Sequence, residues 1–121
     1  MAEPPDSRIK ADRVPRVEFL FWSGCPSHPQ ALAELQEEME AAGLDPSTIE
    51  VRAVETDEAA AREGFPGSPT IRVDGMDVVA PDGLPYALTC RVYRLRDGRV
   101  SAVPDRQDVR DALRAATGNN P

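Results

Sequence analysis

The sequence predicts an α/β fold with a sheet of mixed strand direction, and three features predict it. Residues 17–22 are β-branched, aromatic or otherwise apolar apart from Glu18, which suits a strand buried on both faces of a sheet. A helical stripe and then a second alternating segment follow, and a strand–helix–strand succession implies a parallel pair joined by a crossover. Asp74 and Gly75 then supply a two-residue hairpin signal, which adds antiparallel pairing.

Taken in order, residues 1–15 combine three prolines with alternating charge and no periodicity, so a disordered arm is expected there. The domain proper is expected over 16–116, with a disordered tail at 117–121. After the first strand, Ser23 and Gly24 turn the chain into Cys25, Pro26, Ser27, His28 and Pro29. Leu32, Leu35, Met39 and Ala42 recur at helical spacing. Glu34, Gln36, Glu37, Glu38 and Glu40 are expected to face water, and Gly43 to end the helix.

Over 49–54, Ile49, Val51 and Ala53 alternate with Glu50, Arg52 and Val54, a strand with one face more polar than the other. Residues 57–62 are a short Ala-rich helix candidate ended by Gly64. Phe65, Pro66, Gly67, Ser68 and Pro69 enforce an irregular loop before a strand at 70–73, the Asp74–Gly75 turn and a return strand at 77–79. Prolines and a glycine break residues 80–85. Residues 88–95 read as a strand or a short helical turn, and Asp97 with Gly98 turns them back toward a segment at 100–103. Asp105 is the expected N-cap of a terminal helix reaching Ala116, with Val109, Leu113 and Ala116 on one face.

With 121 residues, 40% of them hydrophobic, the chain suits one core and one domain. Fourteen Lys and Arg against twenty-one Asp and Glu give a net charge of −7, which opposes phosphate binding. An aromatic content of 5% provides no stacking platform, so no nucleic-acid partner is expected. From Glu34 to Glu63 there are ten acidic and two basic residues, read as a solvated acidic flank. No apolar run approaches the roughly 18 residues that span a bilayer, and the opening residues lack the apolar stretch of a secretory signal. No membrane association and a cytoplasmic location are therefore expected.

Two cysteines are too few for a secreted disulfide scaffold, and in a reducing compartment both rest as thiols unless used for redox work. There is no Gly-rich phosphate loop, no histidine pair for zinc and no Gly-x-Ser-x-Gly elbow. Neither a resident metal nor a cofactor is expected.

Cys25 carries the chemistry. A cysteine between a buried strand and a helix start feels the partial positive charge of unpaired backbone N–H groups, which favours thiolate. Pro26 fits the first helical position, although Ser27 or His28 could be the cap with Pro29 first. His28, the only histidine, lies one helical turn after the sulfur. It would stabilise a thiolate or donate a proton to a leaving thiol, or else it is a cap residue without catalytic duty. Trp22 is either core or a wall of the cysteine pocket.

The strand Phe19, Leu20, Phe21, Trp22 running into Cys25 and Pro26, the helix, the second strand, and the later Ser68, Pro69, Thr70, Ile71, Arg72, Val73, Asp74 and Gly75 together resemble the thioredoxin-like fold. The resemblance implies a three-layer sandwich, a central mixed sheet with helices on both faces. It also implies a cis peptide before Pro69, with Ser68, Pro69, Trp22 and Pro26 shaping a pocket for a disulfide or small-molecule thiol substrate. Where dithiol members carry Cys-x-x-Cys, this chain has Cys25, Pro26, Ser27 and His28, so the resolving thiol within the motif is absent.

Two readings of Cys90 stay open. It folds over the site as a remote resolving thiol, or it is a small core residue on a strand with Leu88 and Val92. A single-thiol cycle in which glutathione supplies the second sulfur is a further option, with Arg72, Arg91 or Arg94 pairing its carboxylates; the plainer reading of those arginines is a solvated hairpin edge. The Cys-Pro start and the late Cys90, Arg91, Val92, Tyr93 segment are also similar to chains associated with mercury handling. That makes a non-catalytic binding module, or a soft-metal thiol binder, the alternative to an oxidoreductase.

Overall fold

The computed structural model describes residues 14–118. Most of the arm expected at 1–15, and residues 119–121 of the expected tail, lie outside the described residues. The chain order is β1 (Val17–Phe21), α1 (His28–Ala41), a 3₁₀ turn (Pro46–Thr48), β2 (Glu50–Ala53), α2 (Asp57–Glu63), β3 (Thr70–Val73), β4 (Met76–Asp77), β5 (Tyr93–Arg94), β6 (Val100–Ser101) and α3 (Arg106–Thr117). It is an α/β protein with a mixed four-stranded sheet ordered β2-β1-β3-β4. β1 and β2 are parallel, as the intervening helix requires, and β3 lies antiparallel to both β1 and β4. Asp74 and Gly75, at φ 52° and 83°, make the tight turn between β3 and β4.

Alternation along β1 explains the layers. Val17 and Phe19 share one face with Ile71 and Val73. Ala31, Leu35 and Met39 of α1 and Val109 and Leu113 of α3 close over that face to form the main core. Leu20 points the other way, into a smaller core with Val54, Ala60 of α2 and Phe65. Helices therefore cover both faces. Each fully buried Leu or Phe in these clusters contributes about 1.5–3 kcal/mol relative to an exposed one.

Several expectations need correction. Glu38 was expected to face water but is buried, because Arg106 and Arg110 of α3 reach its carboxylate at 2.9 Å each. Val51, on the less polar face of the second strand, is 49% exposed, and β2 is the sheet edge; Val54, placed on the polar side, lies beyond the strand and is buried. Glu18 is buried and satisfied by Arg52 at 2.6 Å. The first strand ends at Phe21, the return strand is only Met76–Asp77, and α3 runs through Thr117.

Residues 88–95 are mostly irregular, and β5 with β6 forms a separate antiparallel ribbon outside the main sheet. Arg91, read as a solvated edge residue, is buried with its guanidinium on Asp77 at 2.7 Å, on the Val79 carbonyl at 2.7 Å and on the Thr70 hydroxyl at 3.2 Å.

Candidate functional site: a buried and an exposed thiol

The end of β1 builds the first wall. The Cys25 amide donates to the Trp22 carbonyl at 3.0 Å, closing a tight turn over Ser23 and Gly24. Gly24 is dictated by contact, since a Cβ there would lie 2.5 Å from the Trp22 indole. Glu55, just past β2, pins the turn by accepting from the Ser23 hydroxyl at 2.8 Å and its amide at 3.2 Å. Trp22 is half-buried against the smaller core, and Pro26 is exposed.

Ser68 and Pro69, joined by a cis peptide, form the second wall and are wholly buried. The third wall is residues 86–91, which run back along that loop. The Ser68 amide donates to the Thr89 carbonyl and the Arg91 amide donates to the Ser68 carbonyl, both at 2.8 Å, so Cys90 forms a parallel bridge with Ser68. The Ala87 amide donates to the Phe65 carbonyl at 3.0 Å. This strap fits closely: a Cβ on Gly67, whose φ is 128°, would lie 3.1 Å from the Arg91 Cβ.

The strap brings Cys90 into near contact with Cys25, both as free thiols. Cys25 is 0% exposed, whereas Cys90 is exposed. The reading of Cys90 as a strand core residue fails, because Val92 beside it is 69% exposed and Arg91 and Tyr93 turn inward instead. Tyr93 donates its hydroxyl to the Pro69 carbonyl, and its ring lies 4.5 Å from the Arg91 guanidinium.

The Cys25 sulfur lies 3.1 Å from the Ser27 hydroxyl, and its S–H donates to the Ser68 carbonyl at 3.5 Å. Burial opposes ionisation of this thiol. The Ser27 hydroxyl and amide, Ser68 and Cys90 outweigh burial and hold it below the usual thiol range. Cys90 is pushed up, first by its hydrogen bond to Cys25, then by burial and by the charge on Cys25. The two sulfurs are thus coupled: the inner thiol is shifted toward ionisation and the outer one away from it.

Ser27 is the residue that sequence reasoning under-used. It is the N-cap of α1 but makes no side-chain capping bond, because its hydroxyl serves the sulfur and approaches the Ala102 carbonyl at 3.4 Å. His28 stacks on Phe21, with ring centroids 4.5 Å apart, and is not among the hydrogen-bond partners of Cys25. Of the arginines considered for glutathione, Arg91 is spent on Asp77, Val79 and Thr70, and Arg72 donates to the Glu63 and Gly64 carbonyls. Arg94 is exposed and donates to the Gly98 carbonyl.

Among the described residues no helix is long and apolar enough to cross a membrane, and no group of three or more His, Cys, Asp or Glu is placed to hold a metal ion. The fold and the site thus define a small α/β protein with a pair of neighbouring thiols. Comparison with protein-family models, with curated proteins and with solved structures gives no match.

Proposed function

We propose that the chain is a small cytoplasmic protein of thioredoxin-like type, a thiol–disulfide oxidoreductase whose Cys25 and Cys90 cycle between dithiol and intramolecular disulfide. One observation carries this reading: residues far apart in the chain bring two free sulfurs into near contact, and one of them is held below the usual thiol range. The entry of Cys25 from strand to helix and the loop at Ser68 and Pro69 beside it support the thioredoxin-like assignment. In the forward half-cycle a disulfide or small-molecule thiol conjugate is reduced to two thiols. The protein dithiol gives up two electrons and becomes a disulfide. Two equivalents of a thiol such as glutathione then return the protein to the dithiol and leave as their own disulfide. His28 stacks on Phe21 and is partly exposed; in this reading it meets the substrate rather than the sulfur.

The test is intact mass after mild oxidation, paired with reduction of a small disulfide. The parent loses two hydrogens, and neither Cys25→Ser nor Cys90→Ser does; both variants reduce the disulfide more slowly. Equal turnover by parent and Cys25→Ser would end the enzymatic reading.

The same near contact favours a second reading, a non-catalytic binder that holds a thiophilic cation of the mercury(II) type between two thiolates. In that case the parent takes up one equivalent of the cation that either serine variant fails to retain, while disulfide reduction is absent.

A further inference from the structure

We propose that Cys90, not Cys25, is the sulfur that meets the incoming disulfide, and that Cys25 beneath it is the resolving thiol. This deepens the dithiol reading above and rests on it. Sequence order alone assigns attack to the cysteine at the helix entrance; the burial of the two sulfurs reverses that assignment.

Thiol–disulfide exchange needs the attacking sulfur to approach the scissile S–S bond directly. Cys25 is sealed, with no exposed surface, between Ser27, the Ser68 loop and the strap. Uncovering it means breaking the two 2.8 Å backbone bonds between the strap and Ser68. Those bonds flank Cys90 and are backed by the buried Arg91–Asp77 ion pair at 2.7 Å. Cys90 is the exposed thiol of the pair and needs no such opening.

The chemistry then runs in two steps. The Cys90 thiol loses its proton to solvent, and its sulfur attacks one sulfur of the external disulfide. The substrate S–S bond breaks, a Cys90 mixed disulfide forms, and the first substrate thiolate departs. Cys25 then gives up its proton, which restores the departing thiolate to a thiol, and attacks the Cys90 sulfur. The mixed S–S bond breaks, the Cys25–Cys90 bond forms, and the second substrate thiolate leaves and is protonated by solvent. One disulfide becomes two thiols, and two electrons leave the protein dithiol.

The inner sulfur need not be exposed to be useful. Its near contact with Cys90 puts it within reach of the mixed disulfide, and its lowered pKa favours the thiolate that the second, resolving attack requires.

The experiment uses full-length protein, a chromogenic aromatic disulfide and iodoacetamide, with the labelled cysteine located by peptide mass. In the reduced parent, iodoacetamide labels Cys90 first. Cys25→Ser forms a stable one-to-one mixed disulfide on Cys90. Cys90→Ser reacts at Cys25 at least about tenfold more slowly than the parent reacts, because the strap must first open. First labelling of Cys25 in the parent, or adduct formation on Cys25 in Cys90→Ser at the parent's rate, overturns the order of attack and leaves the dithiol cycle standing. A parent that forms no intramolecular disulfide overturns the cycle and, with it, the order.

Discussion

Replacing Ser27 with alanine separates two roles that a serine at a helix start can play. As an ordinary N-cap, its loss would cost about 1 kcal/mol of stability. The structure shows no side-chain cap bond from Ser27; its hydroxyl lies 3.1 Å from the Cys25 sulfur instead. A hydrogen bond to a charged group contributes roughly 1.5–3 kcal/mol, and one pKa unit corresponds to about 1.36 kcal/mol. Ser27 is half-exposed, so water takes over part of the role and the lower end applies. Ser27→Ala therefore raises the Cys25 pKa, while stability at neutral pH falls by only about a few tenths of a kcal/mol.

The assay for this substitution is ultraviolet thiolate absorbance against pH in a Cys90→Ser background, where one sulfur titrates, with urea unfolding alongside. The linkage sign gives a second readout. The folded thiol ionises below its unfolded value, so its contribution to stability is fully present above the unfolded pKa and is lost as pH falls through the folded one. The stability gap between the Cys90→Ser protein and its Ser27→Ala derivative accordingly widens toward alkaline pH. An unchanged thiol pKa together with a loss of about 1 kcal/mol would show that Ser27 caps the helix and does not serve the sulfur.

Three further substitutions test the frame around the pair. Gly67→Ala places a methyl group 3.1 Å from the Arg91 Cβ at a φ of 128°; it should cost about 1–3 kcal/mol and speed iodoacetamide labelling of Cys25 by lifting the strap. Asp77→Ala leaves the Arg91 guanidinium buried without its counter-charge, a loss of about 3–5 kcal/mol in urea unfolding. Glu38→Gln weakens the bridge from α1 to Arg106 and Arg110, whose heads reach water, by about 1–2 kcal/mol near neutral pH. The arginines, Arg110 foremost, hold the Glu38 carboxyl below its usual range against the effect of burial. Its contribution is therefore present above the unfolded carboxyl pKa and is lost as pH falls through the lower folded value. The gap between Glu38→Gln and the parent should close on acidification, and a gap constant with pH would refute the ion-pair account.

What could be read from the chain was mostly local. The apolar run ending at Phe21, the stripe of Leu32, Leu35 and Met39, the Asp74–Gly75 turn and the Asp105 cap are each decided within a few residues, and each appears in the structure. Glu38 defeated the periodicity argument because its partners lie 68 and 72 residues away; charge on a helix is solvated only when no arginine from another element arrives. Val51, 49% exposed, shows the complementary limit, since alternation defines a face but not whether anything covers it. At the site, Cys25 was marked by its position between strand and helix. Ser27 drew notice only as a possible cap, because a hydroxyl two residues from a sulfur has no pattern of its own.

Cys90 shows most clearly how a polar residue sets register. Along residues 90–93, parity admits two solutions: Cys90 and Val92 inward, or Arg91 and Tyr93 inward. Apolar counting favours the first. The second prevails because the interior offers Arg91 the Asp77 carboxylate, the Val79 carbonyl, the Thr70 hydroxyl and the Tyr93 ring, while the Tyr93 hydroxyl reaches the Pro69 carbonyl. With these donors met by acceptors, desolvation is offset, and a slip by one residue would forfeit all of these contacts at once. The same parity turns Cys90 toward solvent while the backbone bonds on either side of it hold it against Ser68, above Cys25. The exposure of the outer thiol is thus a consequence of burying its neighbouring arginine. On the proposed order of attack, it is the buried Arg91–Asp77 pair that decides which thiol an incoming disulfide reaches first.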